Sequence, residues 1–156
     1  MKKTLLLLLL FSLSKITSKA QDFYYGTFTQ NETSMQRYDK DTSAHAVVLD
    51  EHGTAKFVET NDNSVKIVYE YHVKIKIFDS KGFAKGNVVI ALSNNAEQDE
   101  TLEAIKGITT YTDDDGSIKQ TELDPAKVYK TKLNKYWTEA KFAMPAIKNG
   151  CIIEYT

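Results

Sequence analysis

The chain has 156 residues, with 20 lysine and arginine side chains, 21 aspartate and glutamate side chains and a formal net charge of -1. This length fits one domain. Two prolines, nine tyrosines and seven phenylalanines favour a packed globule over a disordered chain. Arg37 is the only arginine, and contacts to phosphate need clustered basic side chains, so the composition argues against a nucleic-acid-binding protein.

Residues 1–20 have the pattern of an export signal. Two lysines precede a mostly apolar run, residues 5–13, and Ser18-Lys19-Ala20 places small residues where signal peptidase requires them. The run is shorter than the ~20 residues that span a bilayer, which disfavours a membrane anchor. A lipid anchor would need a cysteine just after this run, but Cys151 is the only cysteine. We therefore expect a soluble mature protein that begins at Gln21, in the periplasm or outside the cell.

An N-terminal segment, residues 21–43, precedes the predicted sheets. Thr29 and Glu32 match a capping box, in which each side chain bonds the other residue's backbone N–H. This match predicts a short helix that runs to about Arg37. The residues after it are polar and predict a loop.

The next predicted feature is a β-hairpin. Residues 44–49 (A-H-A-V-V-L) favour a strand that is buried on both faces, and residues 54–59 favour its partner. Between them, Asp50-Glu51-His52-Gly53 predicts a tight turn that ends in glycine. A second cluster of turn-forming residues, 61–64, leads into the next strand.

Residues 65–79 have the strongest pattern in the chain. Apolar and mainly polar residues alternate, which is typical of a strand with one buried and one solvated face. The predicted inward side chains are Val65, Ile67, Tyr69, Tyr71, Val73, Ile75 and Ile77. The predicted solvated charges on the other face are Lys66, Lys74 and Lys76, a basic stripe that Glu70 interrupts. Fifteen residues exceed an ordinary strand, so we expect a bend or bulge in the middle.

Short strands also account for the rest of the chain. The predicted strands are residues 87–92, 102–111 with a bulge near Gly107, 117–123, 132–143 and 151–155. Asp113-Asp114-Asp115-Gly116 predicts a hairpin turn, and Asp124-Pro125 predicts a helix cap with proline at the first helical position. Each strand is therefore bounded by residues that favour turns.

About nine short strands at a spacing near ten residues predict a mainly β fold, an antiparallel β-sandwich with one or two short helices. No long amphipathic pattern is available to cover a parallel α/β sheet. We expect the sandwich domain to span residues 44–156. Because Thr156 falls in or just after a strand, we expect this domain to be truncated at its C-terminus.

Three segments resemble one known family. Residues 41–49 (D-T-S-A-H-A-V-V-L) are similar to a D-x-S-A-x-A-V-V-L segment in exported proteins of Bacteroidetes-type bacteria. Residues 69–77 resemble the next landmark of that family, and residues 144–155 (M-P-A-I-K-N-G-C-I-I-E-Y) resemble its P-x-x-K-x-G-x-[IV]-[IV]-E-Y ending. Over residues 29–156 the chain thus resembles the domain of unknown function found N-terminal to transglutaminase-like domains.

This resemblance implies a β-sandwich leader domain of a larger exported protein. The transglutaminase-like part, which would hold a Cys-His-Asp triad, would follow Tyr155. The resemblance also implies that Cys151 is a strand residue of the leader domain and not a nucleophile. No catalytic residue is therefore carried over to this chain.

The residue types of a thiol hydrolase or acyltransferase are nevertheless present, namely Cys151 with His45, His52 or His72 and an orienting acid. A nucleophilic cysteine usually lies at a helix start or beside a cation, whereas Cys151 lies in an apolar strand. A buried, inert thiol is the favoured interpretation. The three histidines lack the spacing of zinc ligands, so we expect them on the solvated surface and predict no metal site or cofactor.

Two other groups of residues have a functional and a structural interpretation. Asp113, Asp115, Gly116 and Glu122 match positions three, five, six and twelve of a calcium loop. Tyr111 occupies the first position and the flanks are strands, so a β-turn is favoured. The aromatic side chains of Tyr136, Trp137 and Phe142 form either a platform for sugar or peptide or a part of the core, and the core is favoured.

These observations favour a non-catalytic protein. We expect an exported accessory domain that packs against, positions or presents substrate to a transglutaminase-like domain. The alternative is a free-standing extracytoplasmic module that binds a glycan or peptide through the Trp137 region or an exposed strand edge. A third possibility is a fragment that is not a working protein. The ligand and the oligomeric state stay open.

Overall fold

A computed structural model describes residues 24–95 and 99–156 and shows a mainly β protein with two antiparallel sheets. This confirms the predicted fold class, an antiparallel β-sandwich with short helices. The predicted signal peptide, residues 1–20, and the predicted new N-terminus at Gln21 lie outside the described residues.

Eight strands and three short helices make up the described part of the chain. The strands are β1 (Ala46–Glu59), β2 (Val65–Ile77), β3 (Asn87–Ser93), β4 (Gly107–Thr112), β5 (Ile118–Glu122), β6 (Tyr129–Lys132), β7 (Trp137–Ala143) and β8 (Ile152–Tyr155). The helices are α1 (Gln30–Ser34) and two 3-10 helices, Ser80–Gly86 and Pro125–Lys127. The larger sheet has the strand order β1-β2-β8-β4-β5, and the smaller has the order β3-β7-β6.

The hydrophobic core lies between the two sheets. Val73, Ile75 and Ile77 contribute three successive inward side chains of β2, and Ile153 adds the neighbouring position of β8. Phe142 reaches the same cluster from β7, and its ring meets the ring of Tyr155 edge to face at a centroid distance of 5.7 Å. Alternation in the strands thus buries one face of each sheet against the other.

The hairpin of β1 and β2 differs from its prediction. β1 is one continuous strand, so the predicted turn at residues 50–53 is wrong. Gly53 lies within the strand and pairs with Tyr71 of β2, because the ladder continues on both sides of it. The actual hairpin turn is the predicted cluster 61–64, where the N–H of Thr60 donates to the carbonyl of Ser64 at 2.8 Å.

The predicted bulge does not lie in β2, because every residue of β2 pairs with β1. The irregularity lies in β1, where the register shifts between Val48 and Asp50. The two halves of β2 still have different neighbours, since β8 pairs only with residues Val73 to Lys76. The other half, from Val65 onward, extends with β1 as a two-stranded ribbon.

Burial along β2 follows this division. Val73, Ile75 and Ile77 are buried as predicted, whereas four predicted inward residues are exposed, namely Val65, Ile67, Tyr69 and Tyr71. They extend along the same face beyond the core cluster. Conversely, Lys74 and Lys76 of the predicted solvated face are buried. The alternation therefore correctly predicted which side chains share a face of β2. It did not predict which parts of each face the rest of the protein covers.

Several shorter elements correct the sequence prediction in detail. The capping box at Thr29 is confirmed, but α1 ends at Ser34 instead of near Arg37. Strand β4 begins at Gly107, so no bulge lies there. The predicted strand 132–143 is the end of β6, a turn and β7. The cap at Asp124 is confirmed, since its carboxylate accepts the N–H of Ala126 at 2.9 Å.

Candidate functional site

The outer face of the larger sheet carries a buried polar cluster. His72, Lys74 and Lys76 project from one face of β2, and Glu154 of β8 lies opposite Lys74 in the ladder. All four residues are buried. An N-terminal strap, which we define as residues 24–34, bonds to three of the four residues directly. The expectation of a solvated face is therefore wrong for this half of β2.

Glu154 is the centre of this cluster, with a relative exposure of 3%. Both carboxylate oxygens accept the N–H of Gly26 at 3.1 Å, and Oε1 lies 2.9 Å from Nε2 of His72. Burial raises the pKa of Glu154 above its ordinary value, although the N–H of Gly26 and the charge of Lys74 act in the opposite direction. The carboxylate thus ties the strap to two strands of the sheet.

Two buried lysines hold the strap through its carbonyl oxygens. Nζ of Lys74 donates to the carbonyl of Thr27 at 2.8 Å and lies 3.5 Å from Oε1 of Glu32. Nζ of Lys76 donates to the carbonyls of Thr33 at 2.9 Å and Gly150 at 2.6 Å. Burial lowers the pKa of Lys76. The two ammonium groups therefore hold the strap against the sheet, because a buried ammonium group needs acceptors to offset its lost hydration.

The cluster brings together two of the three histidines. His52 and His72 are cross-strand neighbours with ring centroids 5.0 Å apart, and Tyr25 of the strap lies 6.1 Å from the His72 ring. Burial and the neighbouring His52 lower the pKa of His72. Burial and the carboxylate of Glu154 raise the pKa of Tyr25 to about 12. His72 was predicted to be a surface residue, and that prediction is wrong.

His45 lies apart from this cluster, with Nδ1 2.8 Å from Oδ2 of Asp79. Within residues 24–95 and 99–156, no group of three His, Cys, Asp or Glu side chains has an arrangement that could hold a metal ion. The imidazole of His72 is instead 2.9 Å from a carboxylate. The polar cluster is consistent with a structural junction between strap and sheet.

Cys151 is fully buried in the hydrophobic core, as predicted. Burial raises the pKa of its thiol, and the nearby charge of Lys76 offsets this only in part. Its backbone carbonyl accepts the N–H of Ile77 at 2.9 Å, so this residue adds one hydrogen bond beyond the end of the β2–β8 ladder. A thiol with a raised pKa in an apolar core has little of the thiolate that nucleophilic catalysis needs.

The acidic turn before β5 is a β-turn, as predicted. The N–H of Gly116 donates to the carbonyl of Asp113 at 2.9 Å, and the carboxylate of Asp115 accepts the N–H of Ser117 at 2.8 Å. The carboxylate of Asp113 accepts Nζ of Lys148 at 3.1 Å. These carboxylates therefore stabilise the turn and its contact with Lys148.

The three aromatic residues of the predicted platform separate. Phe142 lies in the core, as favoured by the sequence. Trp137 is 46% exposed and Tyr136 is also exposed, so the core prediction is wrong for both. They lie where the turn after β6 leads into β7, with the ammonium of Lys135 4.7 Å from the centroid of the Tyr136 ring. This turn is an exposed aromatic surface.

Another exposed surface lies on the ribbon. We define the ribbon face as the outward side chains on one side of β1 and β2, namely Phe57, Val65, Ile67, Tyr69 and Tyr71. Phe57 is 80% exposed and pairs directly with Ile67, and Tyr69 is 71% exposed. The opposite side of the ribbon has exposed ion pairs instead, Lys66–Glu103 at 2.6 Å and Lys56–Glu70 at 2.8 Å.

The alternation in residues 65–79 singles out the four β2 residues of the ribbon face but predicts that they are buried. The signal that separates them is the length of β2 compared with β8. A four-residue β8 covers only part of a thirteen-residue β2. The sequence carries only a weak signal for the polar cluster. A capping box comes first, two lysines and a histidine of β2 follow, and Glu154-Tyr155 stands near the end of the chain.

Comparisons of this chain with protein-family models, curated proteins and solved structures gave no significant match. Among residues 24–95 and 99–156, no helix has the length and apolar character to cross a membrane.

Proposed function

We propose that this protein is a non-catalytic, exported accessory domain that docks onto a transglutaminase-like domain. The ribbon face is the single observation that carries this proposal. Its five outward side chains are apolar or aromatic and exposed. They continue the same face of β2 that forms the core from Val73 onward. A partner seated there would extend the hydrophobic core across the ribbon.

The composition of the ribbon face supports protein contact. Tyrosine and phenylalanine are enriched at protein interfaces, where a few buried aromatic side chains supply most of the binding energy. Phe57, Tyr69 and Tyr71 each offer on the order of 150–250 Å² of surface when fully buried. A contiguous apolar patch of this kind usually marks an interaction site in a soluble protein. The resemblance over residues 29–156 supplies the identity of the expected partner.

The test is binding between the chain without residues 1–20 and each transglutaminase-like domain encoded in the same genome. Isothermal titration calorimetry with separately purified proteins is expected to give saturable binding to one of them. Phe57→Ser and Tyr69→Ser should each weaken it at least about tenfold, because central aromatic residues dominate interfaces. Tyr129→Ser is the matched control, since Tyr129 is an exposed aromatic residue of the smaller sheet.

Two results would overturn the proposal. One is the absence of binding to every such domain at concentrations where the protein is folded. The other is hydrolysis or cross-linking of peptides by the purified chain alone, since that activity requires a reactive centre of its own. Equal weakening by Phe57→Ser and Tyr129→Ser would keep the partner but remove the ribbon face as its site.

A second candidate function rests on the exposed aromatic turn at Tyr136 and Trp137. Exposed aromatic rings stack on sugar rings and peptide side chains, so this turn favours the alternative of a glycan- or peptide-binding module. Trp137 is the only tryptophan, which makes its fluorescence a direct reporter. A saturable fluorescence change with a member of a glycan and peptide panel, lost in Tyr136→Ala, would support it. No response across the panel would exclude this site.

A further inference from the structure

Among the described residues, β2 has one edge beyond β8 whose backbone groups pair with no strand. On the β8 side, the N–H of Ile77 donates to the carbonyl of Cys151 at 2.9 Å. On the β1 side, the N–H of Phe78 donates to the carbonyl of His45 at 2.9 Å. In an antiparallel strand these directions alternate with each residue. Odd-numbered residues of β2 therefore face β8, and even-numbered residues face β1.

This alternation places the odd-numbered backbone groups at an open edge beyond the end of β8. The ladder between β2 and β8 ends at Val73 and Tyr155. Among the described residues, no strand pairs with the edge that precedes Val73. Four residues, Val65, Ile67, Tyr69 and Tyr71, thus present N–H and C=O groups for pairing. An edge of this length is a template for another strand.

The side chains of this edge select one register for pairing with a second copy of itself. A two-fold axis at Val68 brings Lys66 opposite Glu70 of the other copy, twice in one dimer. It also brings Ile67 opposite Tyr69, and the hydrogen-bonding odd residues face each other, as an antiparallel ladder requires. Opposite charges directly across two strands contribute roughly 0.2–1 kcal/mol each.

The neighbouring registers lack this complementarity. Moving the axis to Tyr69 places Lys66 opposite His72 and Glu70 opposite Val68. Moving it to Glu70 places the two Glu70 carboxylates against each other, and moving it to Lys66 does the same with two ammonium groups. Like charges directly opposite each other destabilise a ladder. A lysine on an edge normally discourages pairing, but here each lysine meets an acid of the second copy.

We propose that two copies of this protein associate through the β2 edge in the register centred on Val68. The occupant of the edge is thus a second copy, and the result is a β1-β2-β2-β1 sheet across the dimer. The proposal goes beyond the accessory function, because it concerns the edge of the ribbon and not its apolar face. The ribbon faces of both copies then lie on one side of this sheet.

The existing ion pairs permit this association. Lys66 contacts Glu103 at 2.6 Å, and Glu70 contacts Lys56 at 2.8 Å. The four side chains are between 41% and 60% exposed, and exposed pairs contribute only about 0–1 kcal/mol. Glu70 and Lys66 can therefore exchange or share these partners at the dimer axis.

Disulfide trapping tests the register. Val68 forms a non-hydrogen-bonded pair with its own copy, in which side chains lie closest, so Val68→Cys should give a covalent dimer on mild oxidation. Val58→Cys is the control, because Val58 lies on the same side but on β1, one strand further from the axis on each copy. Cross-linking of both variants at equal rates would show random collision and overturn the register.

Charge exchange tests the proposal without a new cysteine. Sedimentation should show a monomer–dimer equilibrium, and Glu70→Lys should raise the dimer Kd at least about tenfold through Lys66. Adding Lys66→Glu should restore dimerisation, although it leaves Lys56 and Glu103 facing like charges within each copy. A monomer at all concentrations up to about 1 mM, or no rescue by the double variant, would overturn the proposal. Circular dichroism checks that each variant is folded.

Discussion

Glu154 shows how one residue joins three parts of the molecule. It lies on β8, accepts the N–H of Gly26 from the strap and contacts His72 of β2. A buried charge is tolerated only when hydrogen bonds replace its hydration, and here the strap supplies one of them through Gly26. The free-energy cost of burying Glu154 is therefore lower when the strap is docked on the sheet.

Replacing Glu154 by alanine should strongly destabilise the protein. The change leaves the N–H of Gly26 without its acceptor and removes a carboxylate that contacts His72 in a buried site. We expect the free energy of unfolding to fall by about 3 kcal/mol, measured by urea denaturation. Glu154→Gln should cost less, because its amide oxygen still accepts one bond. Glu103→Ala removes an exposed ion pair, and an effect as large as that of Glu154→Ala would contradict this account.

Asp62 should contribute to a loss of stability in acid. Hydrogen bonds from Thr60 and Ser64 lower its pKa from 3.8 to about 2. Because the folded-state pKa is depressed, the stabilisation is present above pH 4 and is lost as the pH falls toward 2. Thermal unfolding should therefore give a Tm that falls less steeply over this range in Asp62→Asn. Asn61→Ser, in the same turn, carries no titrating group and should keep the wild-type slope.

At the level of elements, α1 is too short to be stable alone, so its capping box and its contacts with the sheet must hold it. Thr29 accepts the N–H of Glu32 at 3.2 Å, and Glu32 accepts the N–H of Thr29 at 2.6 Å. Thr29→Ala should lower the free energy of unfolding by about 1 kcal/mol. Thr42→Ala, an exposed loop threonine, is the control. Equal effects of the two would mean that the cap is not formed in solution.

The sequence predicted the elements better than their environments. Alternation correctly separated the two faces of β2, because side-chain direction is a local property of the backbone. Whether Tyr69 is core or Lys74 is solvated depends on how far β8 and the strap extend, which is set by contacts distant in sequence. The turn predicted at Gly53 is wrong for the same reason, because pairing with Tyr71 holds this residue in a strand despite the preference of glycine for turns. The ribbon face and the polar cluster were therefore assigned to the wrong environments.

At the scale of the whole molecule, β8 connects the two halves of the larger sheet, β1-β2 and β4-β5. It pairs with β2 on one side and β4 on the other, so the strand ladder of this sheet runs from one half to the other through β8. Cys151 immediately precedes β8 and is fully buried in the core. A reagent therefore reaches this thiol only when β8 separates from the core.

The reactivity of Cys151 should report global unfolding. A protein of this size is stable by roughly 5–15 kcal/mol, which predicts labelling at least about a thousandfold slower than in the unfolded chain. The rate should rise with urea in parallel with the unfolding equilibrium. Asn149→Cys in a Cys151→Ala background places a thiol in the exposed preceding turn and should react without protection. Fast labelling of Cys151 at neutral pH would mean that β8 opens locally, or that this thiol is reactive, and would restore the thiol-enzyme hypothesis.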